Sequence, residues 1–80
     1  MNVQYNGAVA IIDLRDRISR GEHPRQEILQ FVSQAETGTV IEIHLPQRAE
    51  RLVAELESIG ISSVTNPLGD NHFRLMCVRM

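Results

Sequence analysis

The feature that most limits how this chain can fold is the alternation of two apolar periods within 80 residues. Ala8-Val9-Ala10-Ile11-Ile12-Asp13-Leu14 is apolar at both parities, which predicts a strand with both faces at least partly covered. Ile28, Leu29, Phe31, Val32 and Ala35 then fall on one stripe of a helix predicted over 24–35. The stretch 39–45 returns to a period of two, with Ile41, Ile43 and Leu45 on one face and Glu42 and His44 on the other. Ala49, Leu52, Val53, Leu56 and Ile59 restore the helical period, in a helix predicted to open at Pro46 and run to 59. A weaker strand is predicted over 61–65. Turn formers fill 66–71. A last strand over 72–79 carries Phe73, Leu75 and Cys77 on one face. Gly38 and Gly60 suit left-handed positions after the helices. Residues 1–7 read as a loose lead-in ending at Gly7.

The order β-α-β-α-β-β favours parallel pairing across the helical crossovers and antiparallel pairing of the final two strands. The expected fold is α/β: one domain over 1–80, a two-layer sandwich, with a mixed four-stranded sheet and two helices on one face. Such a sheet leaves its other face open. Val9, Ile11, Val40, Met76 and Val78 are candidates for it. Either that face meets a protein partner or a second copy, or residues 1–7 cover part of it.

Composition removes several function classes. The formal charge is −2, so a general nucleic-acid surface is not expected. No apolar run reaches the roughly 20 residues of a membrane helix. The polar start shows no signal-peptide pattern, and a cytoplasmic location is expected. Tyr5, Phe31 and Phe73 are the only aromatic residues, so the core must be aliphatic. The lone Cys77 leaves no internal disulfide and no Cys-x-x-Cys motif.

Chemistry-bearing residues concentrate between Asp13 and Arg25. Proline suits the first turn of a helix, where its missing N–H has no partner. Pro24 therefore places His23 at the N-cap or just before it, beside free backbone N–H groups. Arg15, Arg17, Arg20 and Arg25 are four of the eight basic residues, and all eight are arginine. Guanidinium groups near a helix N-terminus suit phosphate or carboxylate. The interleaved Asp13, Asp16 and Glu22 offer the opposite reading, a loop neutralised by its own ion pairs. His23 is likewise either a loop-fixing cap or a contact for a ligand, metal or partner. His44 and His72 stand apart, with no metal-ligand spacing. No glycine-rich phosphate loop, Ser-His-Asp set or carboxylate pair is present. Neither a cofactor nor a metal is expected, and a binding role is expected over an enzymatic one.

Ile12-Asp13-Leu14-Arg15, a residue followed by Pro24 at a helix start, Glu36-Thr37-Gly38-Thr39 before the second strand, and Gly60 before a closing hairpin resemble the TusA/SirA-like sulfur carriers. The resemblance spans about residues 9–79. It implies a β-α-β-α-β-β sandwich with strand order 1-2-4-3. It also implies a site at the residue before the proline, where the carriers hold a persulfide cysteine. Here that residue is His23, and imidazole cannot carry a transferable sulfur. The chain is more similar to the branch of this fold with His-Pro in place of Cys-Pro. Three functions follow as expectations. The first is a non-enzymatic binding or regulatory module that uses His23, Pro24, Arg25, Arg15, Arg17 and Arg20, the open sheet face, or both, to meet a protein partner or a small anion. The second is a sulfur-transfer or redox accessory protein without its own thiol. The third is an RNA-binding domain, disfavoured by acidity and few aromatics.

Overall fold

The aliphatic alternation builds a mixed sheet in the computed structural model, which describes residues 1–80. Strand β1 is Gln4–Asn6, β2 Val9–Asp13, β3 Val40–Leu45, β4 Ser63–Gly69 and β5 His72–Val78. Helices α1 (Arg15–Ser19), α2 (Arg25–Gln34) and α3 (Glu50–Ser58) lie between them. The sheet order is β1-β2-β3-β5-β4. Strands β2 and β3 are parallel; the other neighbours are antiparallel. No helix is long and apolar enough to cross a membrane.

Side-chain parity divides the sheet into two faces. Ala10 and Ile12 of β2, Ile41, Ile43 and Leu45 of β3, and Leu75 and Cys77 of β5 point to one side. There they form one core with Ile28 and Val32 of α2 and Leu52 and Leu56 of α3. No polar or charged side chain is buried in that core. Both longer helices thus cover the same face, as expected.

Four details depart from the sequence reading. Residues 1–7 are not a loose lead-in: Gln4–Asn6 pairs with β2 in the register Gln4↔Ile11 and Asn6↔Val9. The two-residue loop Gly7-Ala8 has Gly7 at φ +60°, the glycine-first form that suits a right-twisted hairpin. This strand widens the sheet instead of covering its open face. The arginine-rich loop contains a third helix, α1. It ends at Gly21, φ +88°, where Gly21 N–H bonds Ile18 C=O and Glu22 N–H bonds Arg17 C=O, a Schellman closure. Helix α3 begins at Glu50, not Pro46, because Pro46 and Gln47 form a bend after the extended Leu45. Its own closure repeats the Schellman pattern: Gly60 (φ +83°) N–H bonds Glu57 C=O, and Ile61 N–H bonds Leu56 C=O. Finally, β4 runs through Asn66 and Pro67 to Gly69, leaving Asp70-Asn71 as the turn. Proline is tolerated there because β4 is an edge strand, and the register shifts between Pro67 and Gly69.

Candidate functional site

At the start of α2, Pro24 is buried and occupies the N-cap; His23 precedes it and is exposed. No side chain caps the helix. Each of the four nearby arginines faces a carboxylate. Arg15 grips Asp13 through Nε (3.0 Å) and Nη2 (2.7 Å). Arg17 donates to Glu22 (2.8 Å) and to both oxygens of Glu27 (2.7 and 3.2 Å). Arg20 lies 3.3 Å from Glu22 and 3.6 Å from Asp16. Nε of Arg25 lies 3.0 Å from Glu55, although not aligned for a hydrogen bond. The electrostatics follow: the Arg15 hydrogen bonds hold the Asp13 carboxyl down at about 2, and Arg17 lowers Glu27. The six sequence-derived site residues therefore do not converge on one site: Arg15 turns to Asp13 at the edge of the sheet, Arg17 and Arg20 to Glu22 and Glu27, and Arg25 to Glu55 of α3. Their positive charge is already met by Asp13, Asp16, Glu22, Glu27 and Glu55.

A second cluster forms on the uncovered face of the sheet. Glu42 and His44 are two residues apart on β3 and share that face. The register pairs His44 with Arg74 on β5 and with Asp13 on β2. His72, two residues from Arg74, comes up on the same side. His44 Nδ1 lies 2.8 Å from His72 Nε2, and His44 Nε2 lies 2.7 Å from Glu42 Oε2. An ionised carboxylate only accepts, so His44 carries its hydrogen on Nε2 and donates to Glu42. Its Nδ1 is then an acceptor, and His72 donates to it from Nε2. This leaves Nδ1 of His72 as a free lone pair. Burial, with Arg15 and His44 nearby, lowers the His72 pKa and favours the neutral ring.

This contact is a hydrogen bond, not a chelating pair. The ring centroids are 5.0 Å apart, close to the N···N distance plus two ring radii, so the nitrogens meet head-on. Two ligands of one metal would aim at a common point to the side. No group of three or more His, Cys, Asp or Glu side chains converges on a metal position. In front of the pair lies a cleft of about 290 Å³ lined by Asn2, Gln4, Ile11, Asp13, Arg15, His44 and His72.

The diagonally opposite corner of the same face is apolar. Val40, Val64, Met76, Val78 and Met80 line a depression of about 500 Å³ there. Val64 is 62% exposed and Met80 77%. Cys77 turns inward, and burial pushes its thiol pKa up.

Residue spacing leaves His44 and His72 apart, and the fold pairs them. The available signal was parity: Glu42 and His44 oppose the Ile41/Ile43/Leu45 face, and His72 opposes Phe73, Leu75 and Cys77. No family model, curated protein or solved structure matches the chain.

Proposed function

We propose that this chain is a small non-enzymatic binding module whose docking surface is the apolar corner of the open sheet face. The occupant we assign is a second copy of the chain. One observation carries the reading: α2 and α3 cover one side of a five-stranded sheet, and no helix packs on the other, where Val64 and Val78 are exposed beside the half-buried Val40 and Met76. Stacking two such corners about a two-fold axis places apolar surface on apolar surface. The charged residues then stay at the rim. Extension through the β4 edge is disfavoured by Pro67 and the shifted register. Arg17, Arg20 and Arg25 support the same choice of surface, since each already faces a carboxylate. Sedimentation velocity over a range of concentrations tests the reading. The wild-type mass should rise from monomer to dimer, and Val64→Lys should remain monomeric with an unchanged circular dichroism spectrum. A wild-type chain that stays monomeric throughout would overturn it.

A second reading, a thiol-free accessory protein of the TusA/SirA-like type, is supported by the strand order. Leaving out β1, the order β2-β3-β5-β4 is the one that resemblance implies. The resemblance implies that His23-Pro24, which the fold puts at the start of α2, corresponds to the carriers' Cys-Pro. A partner would have to supply the sulfur-carrying thiol, because Cys77 is buried. Intact-mass spectrometry after incubation with a persulfide donor should then show no sulfur adduct on the native chain.

A further inference from the structure

The cleft beside the histidine pair has a property that neither the apolar corner nor the helix start shares. Its charge balance changes by one with a single proton. The charged groups facing the pair are Asp13 from β2, Glu42 from β3, Arg15 at the start of α1 and Arg74 from β5. The nearest β1 and N-terminal residues, Gln4 and Asn2, are neutral. Two carboxylates and two guanidiniums cancel, so the neutral pair leaves the site near zero net charge. One added proton makes it a monocation.

The hydrogen-bond geometry restricts that uptake to one proton. A second would set two N–H groups head-on at 2.8 Å between His44 and His72. The first has an open acceptor, Nδ1 of His72. Solvent supplies the proton; one N–H bond forms and no electrons are exchanged. The charge can then rest on either ring. If the Nε2 hydrogen of His72 passes to Nδ1 of His44, Glu42 faces an imidazolium at 2.7 Å. In both arrangements Nδ1 of His72 carries a hydrogen and has become a donor. Before uptake, the same nitrogen presents a lone pair, which repels an anion.

We propose that the cleft binds a small carboxylate, taken up together with one proton shared by His44 and His72. The protonated Nδ1 of His72 donates to one carboxylate oxygen. The remaining guanidinium N–H groups of Arg15, whose Nε and one Nη2 hydrogen are held by Asp13, lie at the same cleft. The amide side chains of Asn2 and Gln4 add neutral donors to the lining. The cleft volume, about 290 Å³, is enough for a small carboxylate. The site lies diagonally across the face from the docking corner, so it does not depend on whether that corner is occupied.

The test is a pH titration of the histidine ring signals by NMR, in sodium acetate and in sodium chloride at equal ionic strength. Exposed His23 is the internal reference. The signals of His44 and His72 should change together in a single one-proton step. With acetate at about ten times its dissociation constant, that midpoint should rise by about one pH unit, while His23 stays in place. The acetate-dependent shifts of the Gln4 and Arg15 amides should vanish in His72→Gln. Coincident midpoints in acetate and chloride would overturn the proposal. So would separate one-proton titrations of the two rings. Because the wild-type titration decides both points, a misfolded variant would not obscure the result.

Discussion

The segment from Asp13 to Arg25 and the strand pair β3/β5 both carry basic and acidic side chains, yet they end differently. In the first, charges close in sequence found one another: Arg15 took Asp13, and Arg17 took Glu22 and Glu27. In the second, Glu42 and His44 on one strand met His72, 28 positions from His44, through strand register. Arg15, Arg17 and Arg20 find carboxylates within ten residues, while Arg25 reaches across to Glu55 on α3. Groups assembled by register keep a free valence, here Nδ1 of His72. A dense run of arginines marks a place of interest in the sequence, and in the fold each of its four guanidiniums lies against a carboxylate, with Arg15 keeping N–H groups to spare.

The largest effect that would sharpen this contrast comes from neighbours on opposite faces of β3. Ile43 is fully buried among α2, α3 and the sheet, whereas His44 faces the open side. Ile43→Ala should cost about 2–5 kcal/mol by urea denaturation. His44→Gln should cost only about 1 kcal/mol, chiefly from its two hydrogen bonds. Equal losses would mean that the open face is not open.

Acid should next separate the two regions by pH. His72 is lowered from 6.5, so the unfolded chain binds more protons in that range than the folded one. Stability is full above pH 6.5 and should decline as pH falls through the lowered folded value. Asp13, held at about 2 against an ordinary 3.8, gives a second decline between those two values. In His72→Gln the first decline should shrink and the second remain. Thermal unfolding at stepped pH measures both.

The smallest effect belongs to the arginine segment. Arg17→Ala should lower Tm slightly in dilute buffer, and the difference should fade at molar salt, since exposed ion pairs are weak and screened. A loss that persists in salt would show that Arg17 holds the fold by packing and not by charge.

Much of this architecture was legible in residue spacing. The parity of Ile41, Ile43 and Leu45 and the stripe of Ile28 and Val32 gave the covered face, because burial follows period. Gly60 closed α3 as its position suggested, since only a residue at ease with φ +83° completes that Schellman turn. The short polar β1 was not legible: Gln4, Tyr5 and Asn6 carry no apolar pattern and are ordered by pairing with β2. Helix α1 was hidden by its charge and brevity, having no buried residue of its own. Strand β4 ran through Asn66 and Pro67 because an edge position removes the penalty those residues carry inside a sheet. The histidine pair needed the β3/β5 register, which no local spacing encodes.

We propose above that the apolar corner of the open face docks a second copy of the chain. Paramagnetic solvent relaxation, read residue by residue at low and high protein concentration, tests it most directly. The amides and methyl groups of Val40, Val64, Met76 and Val78 should be reached by the soluble agent in dilute solution and shielded in concentrated solution. His72 should remain accessible in both. Equal accessibility of those four residues at every concentration would contradict it.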